Sequence, residues 1–181
     1  MGLLLTAAKI YIPQFIQQRK LAMLMEATAG AFRAAAPSTR GLSYGASLKL
    51  YAEFTREQAA ASIQQGNELI VQSRLFQNAC RIGQQFKKDF DICSSSEMME
   101  MGRLIYSLLK IGFQGDNEGN IVIDRCFFSV YYSSSVCQLI SSLDEGLLWG
   151  LSGGGRLRFS QRITEGTECC RAFLEAPGRS K

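Results

Sequence analysis

The spacing of apolar and polar residues divides the chain into a helical first part and a later part with strands. Apolar side chains recur at three-, four- and seven-residue steps through the first half, which is typical of one face of an α-helix. Pro13 suits a helix start, and Pro37 favours a helix end just before it, because a residue that precedes proline avoids helical angles. Ser94 and Glu97 have the spacing of a capping box, which indicates another helix start. The predicted helices cover residues 13–33, 46–65 and 68–86 and a segment after Ser94.

The pattern changes after Lys110, where a turn-rich cluster at 115–120 is followed by a β-branched run. A strand at 111–114 should pair with 120–127 as a hairpin across that cluster. Helical spacing returns at 133–149 and stops at a glycine run that begins at residue 150, and clean alternation then predicts two more strands. These last strands cover residues 156–163 and 167–174.

Length and composition indicate one folded domain. The chain has 181 residues, of which 46% are hydrophobic and 20% are charged, enough for one core and too few for two. We predict an N-terminal helical extension over 1–36, a single domain over 40–175 and a frayed tail over 176–181. The net charge of +4 is modest and the basic residues are scattered, which argues against a nucleic-acid partner.

The N-terminus and the cysteines bear on location and partners. No signal-peptide pattern precedes the cysteines, and no apolar run approaches the ~20 residues that span a bilayer. A cytoplasmic setting that keeps the thiols reduced is therefore expected. The apolar start leaves two possibilities open. Residues 1–33 either pack on their own domain or contact a membrane surface or a protein partner, and a second copy of the chain is among those partners.

Candidate chemistry is concentrated in the last third of the chain. The chain has no histidine, so imidazole bases and histidine zinc ligands are excluded. Cys137 and Asp144 lie seven residues apart on a predicted helix and share a face, which suits a nucleophile with its acid–base partner or two ligands of a metal. Cys126 and one of Cys169 and Cys170 would complete a histidine-free zinc site. The same cysteines also fit a role as small buried side chains.

Three arginines lie on the third predicted strand. Arg156, Arg158 and Arg162 fall on one side of this strand, opposite its apolar residues. A row of guanidinium groups suits a ligand that carries a carboxylate or a phosphate. Such a row is also typical of an ordinary solvated sheet face, and the pattern alone leaves both interpretations open.

The order of features in this stretch resembles the L-2-amino-thiazoline-4-carboxylic acid hydrolase-like family and, more distantly, small-molecule-binding domains of the 4-vinyl reductase type. The matching segments are RC at 125–126, a helix with Cys137 and LDEGL at 143–147, and RITEGTECC at 162–170. The resemblance implies an α+β fold, in which N-terminal helices pack on a small C-terminal antiparallel sheet with one intervening helix. It also implies a ligand pocket between the two layers. By position, the site residues would be Cys126, Cys137, Asp144, Arg162 and Thr164, with Cys169 or Cys170.

Three functions follow from this resemblance and from the residues. As a hydrolase, the protein would open a small cyclic amidine of the thiazoline kind. Cys137 would then be nucleophile or ligand, Asp144 would be acid or base, and Arg162 would hold a substrate carboxylate. As a non-catalytic sensor or accessory domain, it would bind a small ligand in the same pocket, with or without zinc. As an assembly subunit, it would dock on a partner through residues 1–12.

Overall fold

The computed structural model describes residues 13–178, and helices followed by a sheet form the expected α+β arrangement. The first half consists of α1 (Gln14–Phe32), α2 (Tyr44–Gln64), α3 (Glu68–Asp89) and α4 (Ser95–Leu108). The predicted capping box precedes α4: the Ser94 hydroxyl accepts a hydrogen bond from the Glu97 N–H at 3.2 Å, and the Glu97 carboxylate accepts one from the Ser94 N–H at 3.1 Å. Helix α2 begins before residue 46 because the Ser43 hydroxyl caps it.

The strands form one four-stranded antiparallel sheet in the order β1-β2-β4-β3. The predicted hairpin of β1 and β2 is confirmed. Asp116 closes its turn, because its carboxylate accepts hydrogen bonds from the N–H groups of Glu118 and Asn120, both at 2.9 Å. The strands are β1 (Ile111–Gly115), β2 (Asn120–Cys126), β3 (Arg156–Gln161) and β4 (Cys170–Glu175).

Strand β3 departs from the predicted alternation near its end. Its pairing register with β4 shifts between Phe159 and Gln161, and such an irregularity moves the later residues out of the two-residue period. Arg156 and Arg158 are exposed, whereas Arg162 is largely buried and lies beyond the strand. The prediction that the three arginines form one row is therefore wrong for Arg162.

The connection from β3 to β4 is longer than predicted. It contains a 3₁₀ turn, Ile163–Glu165, and β4 begins only at Cys170. The Thr167 hydroxyl explains the late start, because its one proton is shared between the carbonyl oxygens of Arg162 and Cys169, at 2.8 and 2.9 Å. Local side-chain bonds of this kind compete with strand pairing.

The intervening helix predicted over 133–149 is divided at Ser141. It consists of α5 (Ser134–Ile140) and α6 (Ser142–Ser152). The Ser141 hydroxyl donates to the Cys137 carbonyl at 2.7 Å, and back-bonding of this kind to the preceding turn favours a bend in a helix. The segment therefore consists of two helices that meet at a serine.

Helices α3 and α6 make the most extensive contact between two elements of the described chain. Gly146 and Gly150 of α6 lie directly against the backbone of α3, and a Cβ on either would collide with the carbonyl oxygen of Phe76 or Cys80. Gly83 of α3 meets α6 in the same way. We call this contact the glycine seam. It explains why α6 continues through Gly150, where the sequence predicts a break.

The inner face of the sheet packs on α4 and α6, and α3 lies on the far side of α6. Alternate residues of the strands point inward and are buried, as the two-residue period requires. Helix α4 contributes Met101, and α6 contributes Leu148 and Leu151, to the same cluster. The inward residues of the strands include Phe113, Ile121, Ile123, Leu157, Ala172 and Leu174.

Helix α1 belongs to the core rather than lying apart from it. Leu21 and Met25 are buried against Leu48 and Tyr51 of α2 and against Phe128, which follows β2. The Tyr51 and Phe128 rings meet edge to face, with centroids 5.9 Å apart. The helix thereby closes one side of the molecule.

Some predictions fall on the chain ends. Residues 1–12, predicted to dock on a partner, and 179–181 of the predicted frayed tail lie outside the described residues. Helix α1 exposes Phe15, with 72% of its surface accessible, and a partner contact through residues 1–33 stays a prediction. Within 13–178, no helix combines the length and the apolar character needed to cross a membrane.

Candidate functional site

A cavity of about 150 Å³ lies between the helices and the sheet. All the helices described above contribute side chains to its wall, and the end of β2 and the start of β4 complete it. Most of these side chains are apolar, as is usual for a small-molecule pocket. The apolar wall includes Leu21, Leu24, Ile82, Ile105, Phe128 and Leu147.

Two tyrosines in the wall have their hydroxyl groups occupied by the protein. Tyr51 Oη lies 3.0 Å from Thr28 Oγ1, and Tyr132 Oη is hydrogen-bonded to Thr55 Oγ1. Both tyrosine hydroxyl groups are therefore satisfied within the protein, and the two tyrosines contribute mainly their rings to the cavity wall. The polar atoms that remain for a ligand therefore come mainly from α5, α6 and the 3₁₀ turn before β4.

Asp144 is the carboxyl group of the cavity wall. It lies in the first turn of α6, and its Oδ1 accepts a hydrogen bond of 2.6 Å from the Tyr106 hydroxyl. The Tyr106 ring is itself held by a stack on Phe113, with ring centroids 4.8 Å apart. Helix α4 therefore orients the acid that α6 carries.

The surroundings of Asp144 favour its neutral form. Burial raises the pKa of Asp144 to about 6, although the hydrogen bond from Tyr106 acts in the opposite direction. Asp144 keeps some accessible surface and lines the cavity. An acid with this pKa changes charge near neutral pH and can donate or accept a proton there.

Cys137 of α5 lies in the cavity wall between Asp144 and Thr164. Burial raises the pKa of the Cys137 thiol, and the Asp144 charge raises it further, while the nearby Thr164 hydroxyl lowers it. Thr164 Oγ1 is buried and has no partner with full hydrogen-bond geometry. The thiol is thus kept protonated, which is the opposite of the activation that a cysteine nucleophile needs.

Two other cysteines line the same cavity. Burial raises the pKa of Cys126 to about 12, and it raises the pKa of Cys170, whose sulfur accepts a hydrogen bond from the Ile163 N–H at 3.4 Å. Cys169 points away from the cavity and lies 3.5 Å from Gln161 Nε2. Of the adjacent pair, Cys170 is therefore the one that faces the site.

The zinc site predicted from Cys126, Cys137, Cys169 and Cys170 finds no support. In the part of the chain that the structure describes, no three or more cysteine, aspartate and glutamate side chains come together in a group that could hold a metal ion. One physical reason is that Cys169 precedes β4 and lies outside the cavity wall, whereas Cys170 lines the cavity. All six cysteines are free thiols.

Arg162 lies beside the cavity but not in its wall. Its guanidinium stacks on the Phe159 ring, 4.5 Å from the centroid, and pairs with Glu165 at 3.7 Å. The positive charge of Arg162 still acts at a distance, because it offsets part of the rise in the pKa values of Asp144 and Cys137. The role predicted for Arg162, direct contact with a ligand carboxylate, would require this side chain to leave Phe159.

The sequence gives little indication of two features of this site. Tyr106 lies within the apolar stripe of α4, and its one signal is that a buried tyrosine hydroxyl needs a partner. Lys20 of α1 lines the cavity and places its ammonium 5.1 Å from the centroid of Phe86 on α3. That contact joins helices far apart in the chain, so no local pattern predicts it.

Comparison with known proteins does not identify a relative. Protein-family models, curated proteins and solved structures all gave no significant match to this chain.

Proposed function

We propose that the protein binds a small, mostly apolar molecule in the cavity between its helices and its sheet. The observation that carries this proposal is the cavity itself: an apolar wall drawn from both layers, with Asp144, Cys137 and Thr164 converging in one part of it. Pockets that combine an apolar lining with a few placed polar groups are the usual sites for small ligands. The six free thiols support the proposed cytoplasmic location.

The size of the cavity sets the size of the ligand. A volume of about 150 Å³ is of the same order as the ~150 Å³ apolar cavities that take up benzene. A single substituted ring fits this space, and larger ligands require the walls to move. Such a space lowers stability while it is empty.

Hydrolysis of a small cyclic amidine is the second candidate function. It is favoured by the position of Cys137 beside Asp144, whose raised pKa suits a group that takes a proton from water and returns it to a leaving group. The protonated state of the Cys137 thiol weighs against a nucleophilic role. In this second candidate, Asp144 is therefore the acid–base group and Cys137 a contact residue.

Binding of ethylbenzene, followed by calorimetry and by ligand-observed NMR, tests the first candidate. Ile105→Trp fills the cavity from α4 and should weaken binding at least about tenfold. Leu69→Trp is the matched control, since Leu69 is 77% exposed on α3, outside the wall, and the same change there should leave binding intact. No binding to the wild type, or equal loss in both variants, would contradict the proposal.

Turnover of 2-amino-thiazoline-4-carboxylate tests the second candidate. If Asp144 is the acid–base group, Asp144→Asn should lower kcat by about a hundredfold or more, with a smaller effect for Cys137→Ser. Absence of turnover in the wild type, with ethylbenzene still bound, would leave the first candidate alone.

A further inference from the structure

Asp144 has no cationic partner within the described residues. The donor that reaches its carboxylate is the neutral Tyr106 hydroxyl on Oδ1, and no ion pair within 4.0 Å joins it to a lysine or an arginine. Arg162, which acts on it from a distance, is engaged with Phe159 and Glu165 outside the wall. Asp144 is therefore an acid that no described cation contacts, and Lys20, the cationic side chain of the wall, lies over Phe86 instead.

A buried carboxylate in this position is unfavourable unless something compensates its charge. Removing an ionised group from water is costly, and a lone buried acid responds by taking up a proton. Apart from Lys20, whose ammonium lies over the Phe86 ring, the described residues of the wall include no cationic side chain, and Thr164 Oγ1 is buried near Cys137 without a hydrogen bond of full geometry. Asp144 and Thr164, which both lie near the Cys137 thiol, thus keep hydrogen-bonding capacity that a ligand can use.

On the premise of the proposed function, we infer that the cavity selects a ligand with an apolar body and one primary ammonium group. The ammonium would contact the free oxygen of Asp144 and donate to Thr164 Oγ1, while the body occupies the apolar part of the wall. An ammonium suits this site because it carries one compact charge and three donors. Lys20 in the wall disfavours a ligand with a second cationic group.

The affinity for an ammonium ligand should fall at acidic pH. Burial raises the pKa of Asp144 to about 6 in the free protein, and only the ionised acid pairs with a cation. Affinity for an ammonium should therefore be constant above that pH and fall about tenfold for each pH unit below it. The titratable and charged groups that act on or near Asp144 are Tyr51, Tyr106, Cys126, Cys137, Glu145, Arg162 and Cys170.

The opposite possibility is a protonated Asp144 that donates to a neutral or anionic ligand. It predicts the reverse pH dependence, with affinity that rises as pH falls. Arg162 would support such a ligand only if it left its stack on Phe159. The geometry favours the cation, because Thr164 and the free oxygen of Asp144 can both accept hydrogen bonds.

Three probes that share a benzyl group test the inference by calorimetry on the full chain: benzylamine, its neutral isostere ethylbenzene and the anion phenylacetate. At about pH 7.5, where both the amine and Asp144 are charged, benzylamine should bind at least about tenfold more tightly than ethylbenzene. Asp144→Asn should bring the two affinities within about threefold of each other. Thr164→Val should reduce the preference in the same direction by a smaller factor.

The outcomes separate this inference from the proposal on which it rests. Ethylbenzene that binds as tightly as benzylamine at every pH, or a preference unchanged in Asp144→Asn, overturns the choice of an ammonium and leaves a binding cavity in place. Tightest binding of phenylacetate overturns it in favour of an anion. If none of the probes binds, the proposed function itself fails.

Discussion

The glycine seam and the cavity are built from the same two helices and pack in opposite ways. At the seam, Gly146 and Gly150 bring the backbones of α3 and α6 into direct contact. On an adjacent face, Ile82 of α3 and Leu147 of α6 border about 150 Å³ of space. One pair of helices therefore contributes both a direct backbone contact and part of the cavity wall.

The difference shows how a protein keeps an internal space open. Interiors are normally close-packed, and neighbouring groups relax toward any gap. Helix α6 cannot move closer to α3 because backbone already touches backbone, and it is held on the other side by the sheet through Leu148 and Leu151. The cavity persists because the elements around it are fixed elsewhere.

The largest effect is expected from filling the seam. Gly146→Ala places a methyl group against the Phe76 carbonyl, which only separation of the helices can relieve, so the free energy of unfolding should fall by at least about 3 kcal/mol. Urea denaturation measures it. Gly30→Ala is the control, because a Cβ at Gly30 in α1 meets nothing within 4 Å, and that variant should gain up to about 1 kcal/mol from helix propensity. Equal stability of the two variants would show that the seam is not rigid.

Two adjacent leucines of α6 lie on different sides of the helix, one in the packed core and one at the cavity. Leu148 is 1% exposed and packed between helix and sheet, so Leu148→Ala should cost about 3 kcal/mol. Leu147 borders the cavity, so its side chain has fewer packing neighbours than that of Leu148. Leu147→Ala should therefore lower the free energy of unfolding by only about 1 kcal/mol. Both values come from urea unfolding of the ligand-free protein. Equal costs would mean that the cavity is collapsed in solution.

The third expected effect concerns charge at the cavity. The pKa of Asp144 is raised from 3.8 to about 6 in the folded protein. The folded state therefore holds a proton that the unfolded state releases, and stability falls as pH rises from about 4 to about 6. At about 1.4 kcal/mol per pH unit, reduced by solvent screening of this partly exposed side chain, the penalty at neutral pH is about 2 kcal/mol.

Asp144→Asn should remove this penalty while it keeps an acceptor for Tyr106. The variant should be more stable than the wild type at pH 7 by about 2 kcal/mol and equal to it near pH 4. Urea unfolding across that pH range is the measurement. Asp124→Asn, at an exposed position of β2, controls for the loss of one negative charge. A constant difference at all pH values would contradict the assigned titration of Asp144.

Local signals in the sequence predict most of the fold. The capping box at Ser94 and Glu97 and the turn around Asp116 each rest on interactions within a few residues, and both are found as predicted. Gly150 has no such local signal, because a tertiary contact decides whether a glycine ends a helix or permits close packing. Nothing in the sequence of α6 alone indicates that α3 packs against it.

The candidate site shows the same division between local and distant information. Cys137 and Asp144 are neighbours in sequence, and both line the cavity. Arg162 does not lie in a row with Arg156 and Arg158, because the register of β3 shifts. That shift depends on the pairing with β4. Tyr106 is 38 residues away from Asp144 in the chain, and Lys20 lies on α1, the first described helix. Tertiary packing brings these side chains to the cavity, and the spacing of residues along the sequence does not predict that packing.

The glycine seam also has a consequence for protein engineering. Asp144 lies two residues before Gly146 on α6, so the backbone contact that fixes the helix also fixes how far the acid projects toward Tyr106. A slide of α6 by one residue would place a side chain where only glycine fits, which penalises alternative registers during folding. Redesign of the pocket for another ligand should therefore vary wall positions such as Leu24 and Ile105 and keep the residues of the seam unchanged.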